Sequence, residues 1–292
     1  MATLVGGFLA RAGHGLTLVG TWEAALRAIP RDGLRVEGWD GEFRAAADAV
    51  PLGTKLPPAD VVIVLVKAYA TASVAGAAAR AAEPGILATL QNGLGNREAL
   101  ESAALGRPVV IGTTAAGALL TAPGRVRAHL ALTELGDDGA GGAHRLAEML
   151  VSAGLPARVV DEIDRVLWTK LAVNCAVNPL TALHRVQNGA LLDSPAWREK
   201  LGRAAREVQA VAAALGIEIP TDIVGHTEEI VRLTAGNRSS MLQDLERGVR
   251  TEVDAICGAV VREGRRLGVP TPVNEALWTK VLAREGHPER AA

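Results

Sequence analysis

Residues Trp168–Leu183, WTKLAVNCAVNPLTAL, combine an apolar helical pattern with a single polar stripe. Lys170, Asn174 and Asn178 recur every four residues, so a helix places them on one face. Such a stripe needs partners or a ligand, because a buried amide or ammonium left unpaired costs about 1–3 kcal/mol or more. The stripe is therefore either a solvated helix face or a ligand site. We expect Pro179 to end or kink the helix beside the last amide.

The composition is that of a globular protein with little net charge. Of 292 residues, 49% are hydrophobic and 22% are charged, so the chain can bury a sizeable core. The formal net charge of −1 gives no electrostatic support for nucleic-acid binding. No uncharged run reaches the ~18 residues of a membrane span, and the N-terminus lacks the layout of a signal peptide. We therefore predict a cytoplasmic protein that binds neither nucleic acid nor membrane.

The cysteines and histidines give no sign of a metal site. Cys175 and Cys257 fall in apolar helical patterns and lack the paired spacing of a metal or disulfide framework. We predict that both are small buried residues. The histidines are scattered without i,i+4 pairing, so we predict no bound metal.

Strands alternate with helices over the first half of the chain. Val61–Val66, VVIVLV, is a continuous β-branched run of the kind that a parallel sheet buries on both faces. Further strands and a helix at Asn96–Ala104 follow it, and Trp39-Asp40-Gly41 marks a turn between two short strands. The segment Arg125–Leu135 alternates as a pair of strands would. The pattern predicts an α/β domain with a parallel sheet.

The second half of the chain has the pattern of helices. Its long segments carry apolar residues at helical spacing and little strand signal. We predict an α/β domain over residues 1–161 and an all-α domain over residues 162–292. The predicted helices of the second domain are Asp164–Asn178, Trp197–Leu215, Ile223–Thr234, Arg247–Leu267 and Asn274–Glu285.

Two candidate ligand-binding loops follow predicted strands. QNGLGN, residues 91–96, lies between a strand and a helix, where open α/β sheets bind ligands. Gly93 and Gly95 allow a close backbone approach, although a purely structural turn explains them equally well. Lys67 directly follows Val61–Val66 and could meet a phosphate or a nicotinamide, or be an ordinary surface lysine.

Two further candidates lie in the helical half. NRSSMLQD, residues 237–244, opens a helix that Ser239 or Ser240 can cap, and the free amides there would also suit a carboxylate. Glu252 opens the apolar part of a helix in RTEVDAICG, where a lone glutamate is usually solvated.

Together these motifs resemble the ketopantoate reductase family in order and spacing over essentially the whole chain. The motifs are KAYAT at Lys67, QNGLGN at Asn92, the stripe at Lys170, NRSSMLQD at Ser240 and RTEVDAICG at Glu252. The resemblance implies an N-terminal Rossmann domain that binds NADPH, a helical domain and an active site in the cleft between them. The implied reaction reduces 2-dehydropantoate to pantoate, on the route to pantothenate and coenzyme A.

The resemblance also implies a role for each matching residue. Lys170 is the catalytic lysine, which hydrogen-bonds the 2-keto oxygen and delivers a proton as hydride arrives. A cation aimed at the developing alkoxide stabilises charge that exists mainly in the transition state. The implied substrate residues are Asn92, Asn174, Asn178, Asn237 and Ser240, of which Ser240 binds the carboxylate. Glu252 fixes the ribose of the cofactor or the catalytic lysine, and the positions along the nicotinamide half of the cofactor are Lys67, Asn92, Gly93 and Ala116.

Two departures from the family pattern concern the cofactor. The family begins with a strand and a Gly-x-Gly-x-x-Gly turn, whereas GGFLARAGH, residues 6–14, resembles the helix that follows that turn. The absent strand is expected between Leu16–Val19 and Val61–Val66, and we expect this chain to bind NADPH weakly. Family members often carry an arginine after the next strand for the 2′-phosphate, but here the residues are Gly20-Thr21-Trp22. The nearest cations are Arg27 and Arg31.

These observations leave alternatives to a ketopantoate reductase. One is a reductase of another branched 2-keto acid, because the size of the pocket cannot be deduced from sequence. The other is a binding or regulatory paralogue that keeps the fold and the substrate pocket but has lost the cofactor site. The apolar last helices could supply a homodimer contact.

Overall fold

A computed structural model describes residues 1–38 and 41–285 of the chain. The chain folds into two compact units. The first unit contains residues 1–66, 70–91 and 96–163. The second contains residues 67–69 and 92–95 together with the chain from Asp164 onward. The predicted class, an α/β domain followed by a helical domain, is confirmed. Of the turn predicted at Trp39-Asp40-Gly41, the first two residues lie outside the described residues, and Gly41 begins a strand.

The first unit carries all the strands of the described residues. Its helices are α1 (Ala2–Arg11), α2 (Glu23–Asp32), α3 (Thr71–Ala81), α4 (Asn96–Ala104) and α5 (Gly142–Ser152). Its strands are β1 (Thr17–Gly20), β2 (Leu34–Gly38), β3 (Gly41–Ala45), β4 (Asp48–Pro51), β5 (Val61–Val64), β6 (Ile86–Thr89), β7 (Val109–Thr114), β8 (Gly117–Ala122), β9 (Arg125–His129), β10 (Thr133–Gly136) and β11 (Ala157–Val160).

The five-stranded sheet has the order β11-β10-β7-β6-β5. Strands β5, β6 and β7 are parallel, and α3 and α4 connect them as crossover helices. Strand β10 runs antiparallel to β7, and β11 pairs parallel with β10. The carboxyl ends of β5, β6 and β7 therefore lie at one edge of the sheet, which is where open α/β sheets bind ligands.

A four-stranded sheet of order β3-β2-β9-β8 corrects one sequence prediction. The segment Arg125–Leu135 does contain two strands, but they do not pair with each other. Strand β9 pairs with β2 and β8, whereas β10 joins the five-stranded sheet. Alternation of side chains identifies a strand but not its partner, and β8 was not predicted at all.

Strand β1 pairs with β4 in a separate two-stranded sheet. Strand β5 forms one edge of the five-stranded sheet. Within residues 1–38 and 41–285, no strand lies between β1 and β5, the position at which the resemblance expects one.

Helix α1 packs closely against neighbouring strands because it contains two adjacent glycines. A Cβ atom on Gly7 would lie 2.5 Å from Val36, and one on Gly6 would lie 2.8 Å from Leu16. Leu4 and Phe8 of the same helix are buried in the core of the first unit. The glycines therefore set how near the helix comes to the strands.

The second unit contains helices and loops but no strand among its described residues. It contains α6 (Ile163–His184, of which Ile163 belongs to the first unit), α7 (Ala190–Asp193), α8 (Pro195–Ala214), α9 (Ile223–Leu233), α10 (Ser240–Glu246), a π-helical turn (Asp254–Gly258), α11 (Ala259–Leu267) and α12 (Pro272–Glu285). Its core includes Trp168, Leu180, Val208, Met241 and Val260. Cys175 and Cys257 are free thiols buried in this core, as predicted.

The helix predicted over Arg247–Leu267 begins later than expected. Helical structure starts at Asp254 with the π-helical turn. Before it, the backbone N–H and the hydroxyl of Thr251 donate to the Glu285 carboxylate, and Val253 N–H donates to Thr251 Oγ. Hydrogen bonds of this kind offer the backbone an alternative to a helix.

Candidate active site

The polar stripe of α6 forms as the spacing predicted. Lys170, Asn174 and Asn178 lie on one continuous helix of 22 residues. Lys170 and Asn174 are half-buried, and Asn178 is only 8% exposed. Because none of the three side chains is exposed, the stripe is not an ordinary solvated helix face.

The two asparagines of the stripe lack protein partners. Neither the Asn174 nor the Asn178 side-chain amide makes a hydrogen bond to any residue that the structure describes. Neither amide is among the fully buried polar atoms of the described residues that lack a partner, so each keeps some contact with solvent. An amide on a helix face that no protein group satisfies is available to a ligand.

Of the two effects expected of Pro179, an end or a kink of the helix, the first was wrong, because α6 continues through the proline to His184. Proline removes the hydrogen bond that Cys175 C=O, four residues earlier, would accept. The Cys257 thiol donates to this carbonyl over 3.9 Å. Pro179 is also buried in the core of the second unit. This packing stabilises the helical segment despite the missing hydrogen bond.

The amino-terminal end of α10 lies beside the stripe. Ser239 caps this helix by accepting a hydrogen bond from Leu242 N–H, and Ser240 is its exposed first residue. The hydroxyls of Ser239 and Thr181 are 2.7 Å apart, and Thr181 Oγ also lies 3.0 Å from Asn178 C=O. One hydroxyl pair therefore joins the helix that carries Asn178 to the helix that begins at Ser240.

Lys67 lies between two buried carboxylates. Its ammonium is 2.6 Å from Asp244 Oδ2 and 3.6 Å from Glu252 Oε2. Glu252 also accepts a hydrogen bond of 3.0 Å from Ala68 N–H. The cluster therefore holds the backbone and the side chain of residues 67–68 at fixed positions relative to α10 and Glu252.

Burial and charge act in opposite directions in this cluster. Burial alone would lower the pKa of Lys67, but the carboxylates of Glu252 and Asp244 outweigh it and hold that pKa above its ordinary value. Burial raises the pKa of Asp244, although Lys67 opposes the change, and the negative charge of Glu252 adds to it. Lys67 is thus a firmly protonated cation beside more than one carboxylate.

The QNGLGN loop packs against the π-helical turn. Leu94 N–H donates to Ala255 C=O over 2.9 Å, and a Cβ on Gly93 would lie 2.6 Å from the same oxygen. Gly93 has φ +80, which also favours glycine. Asn92 is half-buried directly before it. The loop thus places Asn92 near the turn that follows Glu252.

Gln91, by contrast, is used entirely within the first unit. Its amide N–H groups donate to Val66 C=O and Thr71 Oγ, and its carbonyl accepts from Thr89. Thr71 in turn donates to the side chain of Asn96. This buried network ties together the carboxyl ends of β5 and β6.

Ala116 belongs to the first unit, whereas the other predicted site residues belong to the second. Its backbone N–H donates to Thr114 Oγ just after β7. On α2, which follows β1, Arg27 pairs with Glu23 at 3.1 Å and Arg31 pairs with Asp32 at 2.7 Å, all on the surface.

Two polar residues of this region escaped the sequence analysis. Asp244 lies four residues after Ser240, so a helix places both on one face, and this spacing is its one sequence signal. Asn188 is buried; its backbone N–H donates to Asn237 C=O and its amide N–H to Thr234 Oγ, while its Oδ1 has no partner in the described chain. A buried carbonyl oxygen without a donor is a candidate acceptor for a ligand hydroxyl.

Two further features are absent from residues 1–38 and 41–285. No group of three or more His, Cys, Asp or Glu side chains could hold a metal ion. No helix there is both long enough and apolar enough to cross a membrane.

Comparisons with known proteins identify the family. The model of the ketopantoate reductase PanE/ApbA family matches residues 1–137, and the model of its C-terminal domain matches residues 162–285. A protein of Archaeoglobus fulgidus named 2-dehydropantoate 2-reductase is 39% identical, with 98% of this chain and 95% of the relative covered. A protein of Halobacterium salinarum with the same name is 37% identical, with 98% and 97% covered.

Solved structures show the same fold. A PanE/ApbA family ketopantoate reductase from Ralstonia eutropha has a TM-score of 0.90 at 32% identity, with 98% of this chain and 95% of that chain covered. D-Mandelate dehydrogenase with NADH and anilino(oxo)acetate has a TM-score of 0.93 at 27% identity, with 99% and 96% covered. The two family models and the full-length relatives agree: this chain belongs to the ketopantoate reductase family.

Proposed function

We propose that this protein reduces 2-dehydropantoate to pantoate with a reduced nicotinamide dinucleotide, in the synthesis of pantothenate and coenzyme A. The observation that carries the proposal is the stripe of α6, where Lys170 shares one helix face with Asn174 and Asn178, whose side-chain amides make no hydrogen bond to the described residues. Relatives that match over nearly the whole chain bear the name of this activity.

Lys170 is the general acid in this proposal. Hydride addition to C2 of the keto acid moves an electron pair onto the keto oxygen, which becomes an alkoxide. The Lys170 ammonium hydrogen-bonds this oxygen and transfers one proton to it, giving the hydroxyl of pantoate. The neutral lysine then regains a proton from water. Stabilisation of charge that develops in the transition state lowers the barrier rather than only tightening binding.

The remaining polar groups orient the substrate. The Asn174 and Asn178 amides, each with free donors and a free acceptor, hold substrate hydroxyl and carbonyl groups. The exposed Ser240 hydroxyl binds the carboxylate, and Asn237 holds the hydroxyl end. The unpartnered Oδ1 of Asn188 accepts from the same substrate hydroxyl, because a buried acceptor gains most from a new donor.

The cofactor supplies a hydride when it is bound. Loops that follow the parallel strands β5, β6 and β7 carry Lys67, Asn92 and Ala116, which fits the usual position of a dinucleotide. Gly93 allows Asn92 to lie on a closely packed turn, and Glu252 holds Lys67 and the backbone of Ala68. We assign these residues to the nicotinamide half of the cofactor.

We further propose NADPH rather than NADH as the donor. The proposal comes from the family resemblance, with Arg27 and Arg31 as the next cations in the sequence after Gly20-Thr21-Trp22. Titrating each reduced dinucleotide while following nicotinamide fluorescence measures both dissociation constants. A tighter constant for NADH would overturn the preference for NADPH and leave the reaction proposed above intact.

A reductase of another 2-keto acid is the second candidate. It is favoured by the TM-score of 0.93 with D-mandelate dehydrogenase, whose structure holds anilino(oxo)acetate. Assays with 2-dehydropantoate, other branched 2-keto acids and aromatic 2-keto acids separate the two candidates. A higher kcat/KM for an aromatic acid than for 2-dehydropantoate would favour the second.

Replacement of Lys170 tests the chemistry. Lys170→Ala should lower kcat for 2-dehydropantoate by about 10²–10⁴-fold, the usual contribution of a general acid. Lys200→Ala, on an exposed position of α8, is the matched control and should leave kcat unchanged. Wild-type turnover by the Lys170 variant would remove the lysine from the mechanism.

A further inference from the structure

Thr181 is a buried hydroxyl that the proposed reaction does not use. It lies on α6 three residues after Asn178 and is fully buried. Its Oγ lies 2.9 Å from Val177 C=O, 3.0 Å from Asn178 C=O and 2.7 Å from Ser239 Oγ. A threonine that only satisfied its hydroxyl within its own helix would need just the first of these contacts.

The contact with Ser239 extends from α6 to α10. Ser239 Oγ accepts the N–H of Leu242 as the cap of α10, so its position fixes where that helix begins. Ser240 is the next residue along the chain. The distance between the Asn178 side of α6 and the start of α10 is therefore held by one pair of hydroxyls within the second unit.

We propose that Thr181 is a positioning residue, which sets the spacing between Asn178 and Ser240 through its hydrogen bond to Ser239. The inference rests on the proposed function, in which those two side chains hold opposite parts of one substrate. A loss of the hydroxyl pair lets the start of α10 shift relative to Asn178. The substrate then meets one of the two groups at a poor distance, which costs binding.

Thr181→Val tests the inference because it removes the hydroxyl and nearly keeps the shape. The KM for the keto acid should rise at least about 10-fold. The kcat should change less than about 3-fold, because Lys170 lies well before Thr181 on α6 and keeps its role. Thr181→Ser keeps the hydroxyl and should restore KM to within about 2-fold of the wild type.

Thr227→Val is the matched control. Thr227 is also fully buried in the second unit, but among the described residues its hydroxyl hydrogen-bonds only Ile223 C=O of its own helix, at 2.7 Å. Both valine variants should lose similar stability, and only the variant at residue 181 should change KM. An equal rise in KM for the two variants, or no rise for either, would overturn the inference.

Ser239→Ala tests the same contact from its other side and covers the case in which Thr181→Val folds poorly. Ser239→Ala removes the other hydroxyl and should raise KM to a similar extent. If the pair acts as one unit, the double variant has the KM of the more severe single variant rather than the product of both effects. Multiplicative effects would show that the two hydroxyls act separately and would reject the proposal. A wild-type enzyme that does not reduce any 2-keto acid would instead refute the proposed function itself.

Discussion

Two amide-rich motifs of this protein look similar in sequence and differ in structure. The Gln91 amide, after β6, makes hydrogen bonds to Val66, Thr71 and Thr89. The Asn174 and Asn178 amides on α6 make none to the described residues. Gln91 and Asn178 are equally buried, each 8% exposed. Burial alone therefore does not separate a structural amide from one available to a ligand.

The difference between the motifs is whether the protein itself satisfies the amide. An amide whose donors and acceptor are paired inside the fold contributes to folding, and its loss leaves other buried groups unsatisfied. An amide without partners contributes little to folding and keeps its hydrogen-bonding capacity for another molecule. Each motif should accordingly fail in a different assay.

The largest expected effect is on stability at Gln91. Gln91→Ala should lower the free energy of unfolding by about 2–4 kcal/mol, because Val66 C=O and Thr71 lose their partner and a cavity remains. Asn178→Ala should cost less than about 1.5 kcal/mol, since no hydrogen bond is lost. Urea denaturation followed by circular dichroism measures both. If both variants lost the same free energy of unfolding, the number of hydrogen-bond partners would not distinguish the two amides.

In an activity assay, the amide of the stripe should show a clear effect. Asn178→Ala should lower kcat/KM for the keto acid by about 10–100-fold, the usual value of one or two lost hydrogen bonds. Gln209→Ala is the control, because the Gln209 amide on α8 donates to backbone carbonyls at Pro220 and Thr221. It should leave kcat/KM unchanged. A normal kcat/KM for the Asn178 variant would count against a ligand role of the stripe.

A smaller effect should separate the two glycines of QNGLGN. Gly93→Ala should destabilise the protein by more than about 1 kcal/mol, because the new Cβ meets Ala255 C=O and φ is positive. Gly95→Ala should cost about 1 kcal/mol, because φ is positive but nothing lies within 4 Å. Thermal unfolding of both variants compares them, and a costlier Gly95 variant would contradict the packing seen at Gly93.

The smallest expected effect concerns a satisfied carboxylate, Glu228. Hydrogen bonds from Arg198 lower the pKa of Glu228, against the opposing effect of burial, and Arg232 adds to the lowering. Its stabilisation is therefore present above the pKa of an unfolded glutamate, about 4.3, and is lost as the pH falls through the lower folded value. Because both arginines are half-exposed, the gain should be below about 1 kcal/mol.

The stability difference between wild type and Glu228→Gln should accordingly shrink when the pH is lowered from 7 to 3. Glu229→Gln, at the exposed neighbouring position, is the control. Urea titrations at both pH values give the comparison. A difference that grows at low pH would have the wrong sign for a lowered pKa.

Much of the fold could be predicted because its signals are local. Helix α4 has the predicted bounds, Asn96–Ala104, since a strand, a glycine turn and helical spacing enclose it. The partners of β9 and β10 could not be predicted, because pairing depends on residues far away in the chain. Pro179 was misjudged because the compensating thiol, Cys257, comes from another helical segment.

The same limit applies to the candidate site. The stripe at Lys170, Asn174 and Asn178 is visible in sequence because a single helix contains all three residues. Asp244 and Asn188 were missed because their neighbours, Lys67 and Asn237, lie far from them in the chain. The roles assigned to the stripe come from the family resemblance and stay predictions.

The two buried cysteines offer a practical advantage for labelling. The chain has two cysteines in all, and neither thiol of Cys175 or Cys257 reaches solvent. Burial raises the pKa of the Cys175 thiol well above its ordinary value, so little reactive thiolate forms at neutral pH. A cysteine introduced at an exposed position such as Leu233 should thus be the only one that a maleimide dye modifies. Single-molecule fluorescence becomes accessible without first removing native thiols.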